Sequence, residues 1–285
     1  MEFFHPTNLP EALSLLSEHE GAQCLAGGAT LVAMMNAGLV EPSALISLTG
    51  LSELAGIARL PDGSVRIGAM TRHAETARST IFHAGQRVLS EAAGKIANPP
   101  VRNMGTIGGS LAFADPAADY LPALACLDAM IEVAGRDGAR TLAIADFVLD
   151  WYATALGPED IITGIVVPPS PAGSVGVFEK LERTAGDFAI ASVALVLAVE
   201  EGVCRVARIA IGGCAPAPIR RREAEALIEG TRFEAAAVRA AGGILAEAAD
   251  PVDDVRASAD YRRRVIPRLL AKTVARARAA LGADT

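Results

Sequence analysis

Two short glycine-bearing segments carry most of the chemical promise of this chain, Ala26-Gly27-Gly28-Ala29-Thr30 and Gly105-Thr106-Ile107-Gly108-Gly109-Ser110. Glycine lets a backbone approach a ligand closely and adopt positive φ. Consecutive amides in such a turn converge on one point and hold an anion there. Two such segments suit the two phosphates of a dinucleotide. Neither spells Gly-x-Gly-x-x-Gly or Gly-x-x-x-x-Gly-Lys, so the Rossmann and P-loop arrangements are excluded. Taken singly, each is also what an ordinary tight turn looks like. Other chemistry is scarce. His5, His19, His73 and His83 have no mutual spacing that suits ligation and read as structural or exposed. Cys24, Cys126, Cys204 and Cys214 form no Cys-x-x-Cys, which argues against zinc or iron–sulfur ligation. They read as buried, reduced thiols.

The first segment needs a strand before it and a helix after it. Asn8-Leu9-Pro10-Glu11 starts a helix, with Asn8 as cap, Pro10 in the first turn and Glu11 closing a capping box. Leu9, Ala12, Leu13 and Leu16 form its apolar face, and it ends near Gly21. Gln23 to Ala26 is a strand, Thr30 opens a helix through Met35, and Ala44 to Leu48 is a further strand, which makes an α/β unit. From about Leu54 the texture changes. Strands at 57–59 and 65–68 flank Pro61-Asp62-Gly63 as a hairpin. Residues 72–93 read as helix, broken near Ser79 and Gly85. The second glycine segment lies in an irregular, glycine- and proline-rich stretch from Asn98 to Asp119, read as a long functional loop. A short helix over 121–127, a hairpin around Gly135-Arg136-Asp137-Gly138 and a strand over 161–167 follow. After Pro168-Pro169-Ser170-Pro171 come three strands, 175–183, 189–200 and 203–212, the last two joined by Glu201-Gly202. Helices at 221–228, 233–248 and 261–281 complete the chain.

Bulk properties narrow the function. The 285 residues suffice for two domains. Hydrophobic residues make up 51% and charged residues 21%, the balance of a folded protein. A net charge of −7 and only 4% aromatics argue against nucleic acid as a partner. The N-terminus shows no secretory signal, and no run of 18 apolar residues occurs, so a cytoplasmic chain without a membrane span is expected.

The sequence resembles the FAD-binding medium subunits of the xanthine oxidase/carbon monoxide dehydrogenase family of molybdenum hydroxylases. Three stretches carry the likeness. They are Ala26-Gly27-Gly28, then Thr106-Ile107-Gly108-Gly109-Ser110 continuing through Ala114-Asp115-Pro116-Ala117-Ala118-Asp119, then Lys180, Arg183, Asp187 and Ala189 in a compressed spacing. The resemblance covers essentially the whole chain. It departs at Ser110, where the family usually has Asn or Asp, and at Ala29, where some relatives carry polar residues.

The resemblance implies roles. Ala26, Gly27, Gly28, Ala29 and Thr30, with Thr106, Ile107, Gly108, Gly109 and Ser110, would hold the FAD pyrophosphate and nearby ribityl oxygens. Asp119 would accept from ribityl hydroxyls, and Lys180 would lie at the flavin's polar edge. By residue type alone, Asp119 also serves as a helix cap, Lys180, Arg183 and Asp187 as a surface ion network, Asp115 as a turn residue and Phe188 as core. The implied fold is α+β. A two-lobed FAD-binding domain of the vanillyl-alcohol-oxidase (PCMH) type would cover 1–173, with lobes at 1–53 and 54–173. A small sheet-plus-helices domain would cover 174–285. The implied function is electron transfer by non-covalent FAD, with [2Fe–2S] clusters on a small partner subunit and molybdopterin on a large one, in a dimer of heterotrimers. The sequence alone leaves two alternatives, a stand-alone flavoprotein reductase on the same fold and a flavin-free scaffold.

Overall fold

The computed structural model describes residues 1–282. The chain begins with a three-stranded parallel sheet. Its elements are β1 (Glu2–Phe4), α1 (Leu9–Glu18), β2 (Gln23–Leu25), α2 (Leu31–Asn36) and β3 (Ala44–Ser47), with strand order β1-β3-β2. Asn8 caps α1 by accepting from the Glu11 amide at 2.9 Å. Glu11 does not reach back to Asn8 as expected; its carboxylate takes the Thr7 amide at 2.7 Å and the Thr7 hydroxyl at 2.8 Å. Ala12 and Leu16 of α1 pack on Ile46 and Leu48.

The second sheet is antiparallel. Strand order is β4 (Ile57–Arg59), β5 (Val65–Gly68), β10 (Ile161–Val167), β6 (Met130–Gly135), β7 (Gly138–Ala143). Val65 and Ile67, Ile131 and Val133, and Ile165 and Val167 are the alternate residues that face the core, as a period of two demands. They meet α4 (Arg87–Lys95), α6 (Ile107–Phe113) and α7 (Tyr120–Cys126) through Leu89, Leu111, Leu121 and Leu124. Also in this part are α3 (His73–Arg78), α5 (Pro99–Met104), α8 (Ile144–Phe147) and the small hairpin β8 (Val148–Asp150) with β9 (Ala153–Thr154).

The stretch from Asn98 to Asp119 is therefore not a long loop. It folds as two short helices, α5 and α6. Asn98 caps α5 by accepting from the Val101 amide, with prolines in the first turn, where a missing N–H costs nothing. Thr106 caps α6 in the same way. Pro99 and Pro100 fall in the first turn of α5 and Gly108 and Gly109 in that of α6, where they are tolerated, while Gly105 and Pro116 lie just outside the helices.

The third sheet is antiparallel, β11 (Ser174–Leu181), β12 (Ala191–Glu200), β13 (Val203–Gly212), followed by α9 (Arg222–Ile228), α10 (Ala235–Glu247) and α11 (Ala259–Ala280). Residues 191–198 are all buried because the sheet is covered on both faces. Phe178 pairs with Ala194, which pairs with Ala210. That face joins the core of the second sheet. Val177, Leu195 and Ile209 point the other way, onto Leu245, Ile266 and Leu270 of the terminal helices. One core cluster thus draws residues from both sides of residue 173. Among the described residues no helix is long and apolar enough to cross a membrane.

Candidate cofactor site

The first glycine segment links the end of β2 to α2. Gly28 takes φ +74°, a conformation cheap only for glycine. The amides of Gly27, Gly28, Ala29 and Thr30 find no protein acceptor among the described residues. A run of four unpaired donors, half-buried at Gly27 to Ala29 and exposed at Thr30, is what an anion-binding turn requires. Gly27 has a different reason to be glycine. A Cβ there would strike the Met104 carbonyl and lie 2.9 Å from the Gly105 Cα. The two glycine segments are in direct contact.

The second segment is closed rather than open. The Ile107 amide donates to Thr71 O at 3.0 Å and the Gly108 amide to Ala69 O at 2.8 Å. The Gly109 amide donates to Thr106 Oγ1 at 3.1 Å, and the Ser110 amide to Thr106 O. It offers no free amide fan. What it does offer is the Thr106 hydroxyl, which accepts from Gly109 and keeps its own proton for a ligand. Ile107 and Gly108 are buried and face away from the cavity. A Cβ on Gly108 would come within 2.6 Å of the Ala69 Cβ, so this glycine serves helix packing.

Lys180 and Asp119 form a buried pair. On β11 Lys180 shares its face with Phe178, while Glu179 points across to Lys272 and Arg276. The Lys180 side chain is 1% exposed. Its Nζ donates to Asp119 Oδ2 at 2.9 Å, Lys95 O at 2.8 Å and Asp187 O at 2.9 Å, with Glu182 Oε2 at 3.1 Å. All three ammonium protons are taken, and Lys180 does not line the cavity. Lys180, expected at the edge of a flavin, stands behind Asp119 and not on the cavity wall. Asp119 does line the cavity. It opens α7 but makes no side-chain cap there. Its Oδ1 is buried and has no partner. Burial pushes its carboxyl up to about 6, outweighing the opposing pull of Lys180.

These groups surround one cavity of about 630 Å³, within the range of about 300–1,000 Å³ common for small-molecule sites. Of the expected residues it brings together Ala26, Gly27, Gly28, Ala29, Thr30, Thr106, Gly109, Ser110 and Asp119, and leaves out Ile107, Gly108 and Lys180. Phe188, expected in the core, is 44% exposed on the cavity rim, with the Arg256 guanidinium 5.2 Å from its ring centre. Arg183 donates to Val255 O, away from the cavity. Asp115 also lines it, with its carboxyl raised mainly by burial. Sequence reasoning missed His73, which is buried and lines the cavity. No local signal marks it, because its neighbours arrive from residues 105 and 120. Phe188 carried a signal in its place directly after Asp187. Among the described residues no cluster of His, Cys, Asp and Glu could hold a metal ion.

The donor set fits a dinucleotide carrying a polyol. Four free amides and a hydroxyl proton suit phosphate oxygens, and an orphaned carboxylate oxygen suits a sugar hydroxyl. Comparison with known proteins agrees. Residues 1–170 match the family described as the FAD-binding domain in molybdopterin dehydrogenase, and residues 176–277 the carbon monoxide dehydrogenase flavoprotein C-terminal domain. The chain is 35% identical to the 6-hydroxypseudooxynicotine dehydrogenase complex subunit alpha of Paenarthrobacter nicotinovorans, covering 95% of this chain and 92% of the relative. It is 34% identical to the carbon monoxide dehydrogenase medium chain of Afipia carboxidovorans, covering 98% and 96%. A chain in the crystal structure of a cyanide-inactivated Cu,Mo-carbon monoxide dehydrogenase superposes with a TM-score of 0.93 at 36% identity, covering 98% of each chain.

Proposed function

The chain belongs to the FAD-binding medium subunits of the molybdenum hydroxylases, and from that premise we propose that it takes electrons from [2Fe–2S] clusters on a small partner subunit and delivers them to an external acceptor. A large molybdopterin subunit would transform the organic substrate, in a cytoplasmic dimer of heterotrimers. FAD supplies exchange between one- and two-electron carriers when bound. The proposed FAD-binding unit is 1–173, with lobes 1–53 and 54–173, and the second unit 174–285, whose last three residues lie outside the described ones.

The observation that carries the reading is the pairing of an open amide run at Gly27 to Thr30 with the orphaned Asp119 Oδ1 on the wall of the same cavity. The amides and the Thr106 hydroxyl would hold the pyrophosphate. Asp119, held by Lys180, would orient the ribityl chain, and Phe188 would cover the ring. The attachment would be non-covalent. Cys24 lines the cavity, but burial pushes its thiol up to about 12, so it carries almost no nucleophilic thiolate.

Acid precipitation of the purified protein tests this. A yellow supernatant containing FAD, together with iron, molybdenum and two further chains in the native preparation, is the expected result. Colour in the pellet or FMN in the supernatant would sink the cofactor assignment. Substrate turnover by the chain alone would sink the subunit assignment in favour of a self-contained reductase.

A further inference from the structure

His73 opens α3 and is stitched to the turn before α6, its amide donating to Gly105 O at 3.0 Å. The residue is 6% exposed and lines the cavity. Its Nδ1 lies 3.2 Å from the Tyr120 hydroxyl. Its Nε2 has no protein partner among the described residues. A Cβ on Gly105 would stand 2.5 Å from that nitrogen, and a Cβ on Gly27 would stand 2.9 Å from the Gly105 Cα. The imidazole edge, Gly105 and Gly27 are therefore successive neighbours, and the free Nε2 sits where the open amide run meets the start of α6.

We infer that His73 binds the cofactor directly, its Nε2–H donating to a pyrophosphate oxygen of the bound dinucleotide. The inference rests on the FAD reading above and adds to the site a residue that the glycine segments do not include. The protons are consistent. A phosphate oxygen carries none at neutral pH, so Nε2 must donate, which leaves Nδ1 as an acceptor. The Tyr120 hydroxyl supplies that bond, and burial of Tyr120 raises its phenol and keeps it protonated. A hydrogen-bond partner on one ring nitrogen fixing the tautomer that the other presents is a familiar device in metal sites. Burial, and after it the charge of Arg102, hold the His73 pKa down to about 4, so the ring meets an incoming anion as a neutral group. Arg102 itself is occupied, donating to Ile96 O and Ala97 O at 2.7 Å each.

The test uses the full chain stripped of FAD and titrated with FAD. His73→Phe keeps a planar ring without a donor, and His73→Gln returns an N–H near the same place. Loss of a hydrogen bond to a charged oxygen should weaken FAD binding about tenfold to a hundredfold in the Phe variant, with the Gln variant recovering most of it. In phosphorus NMR of the bound cofactor, one of the two pyrophosphate resonances should move in the Phe variant while the other stays. Affinity within about twofold of wild type, equal losses in both variants, or unmoved resonances would overturn the inference and leave His73 a packing residue. If the Phe variant does not fold, the Gln variant decides. A shift confined to one phosphorus supports the assignment, and superimposable spectra reject it. Failure of the wild-type chain to bind FAD would instead overturn the functional reading on which this rests.

Discussion

Lys180→Met separates the two places that Lys180 can occupy. A lysine at the edge of a flavin loses little stability when its charge is removed. A lysine with a 1%-exposed side chain and three oxygens on its ammonium loses a great deal. Breaking a buried ion pair from one side costs about 3–5 kcal/mol, because the partner stays behind unpaired. At about 2 °C per kcal/mol for a chain of this size, the melting temperature at pH 8 should fall by about 6–10 °C. The loss should shrink on acidification. Asp119 titrates at about 6 in the folded protein against 3.8 for the free group. Its raised value means that protonation favours the folded state, and that ionisation costs stability as pH rises through that value. Without Lys180 the carboxyl moves higher still, so at pH 5 the variant buries a neutral acid instead of an orphaned charge. Thermal melts of the FAD-free full chain from pH 5 to pH 8 measure this. A melting temperature unchanged at pH 8, or a deficit that is the same at pH 5, would refute the buried-pair argument.

The remaining expectations concern FAD affinity. An ionised Asp119 is the better acceptor for a ribityl hydroxyl, so wild-type affinity should rise between pH 5 and pH 7, the window around its value of about 6. Asp119→Asn should flatten that rise, and an equally steep profile in the variant would assign it to another group. Gly28→Val should lose FAD and also cost about 1 kcal/mol of stability, since φ is +74° and the new Cβ meets Val32 at 3.2 Å. Calorimetry and a flavin spectrum check both parts, and full occupancy would make the segment an ordinary turn. Gly109→Ala places a Cβ 3.0 Å from Thr106 Oγ1 and should weaken FAD binding about tenfold by turning that hydroxyl; unaltered binding would remove Thr106 from the site.

Much of this was written locally enough to be read in sequence. The helix at Leu9 announces itself by Asn8 and Pro10, and the doubly buried strand at Ala191–Glu200 by the apolar run from Val193 to Val199. The two glycine segments were visible as residue types, but not the difference between them. The amides of Ile107 and Gly108 are spent on Thr71 and Ala69, and nothing near residue 107 reports where residue 70 will lie. The sequence of α5 and α6 reads as loop because proline and glycine count as breakers until their place in a first turn is known. Alternation along β11 puts Lys180 on the face it shares with Phe178. Its partner stands 61 residues away, and alternation says nothing of what waits across that face. His73 was invisible for the same reason, its contacts coming from Gly105 and Tyr120.

The long reach of these contacts also sets an order of events on the ribosome. The open amide run and the Thr106 hydroxyl are made early, but Asp119 meets its cation only when Lys180 has emerged, and the rim at Asp187 and Phe188 emerges later still. The clamp between Glu91 and Arg276 joins residues 185 apart, and Glu91 also receives the Phe178 amide. The cavity therefore lacks its Asp187–Phe188 rim until about two-thirds of the 285 residues have been synthesised. A nascent chain stalled before β11 would expose the Phe178-facing core with nothing to cover it.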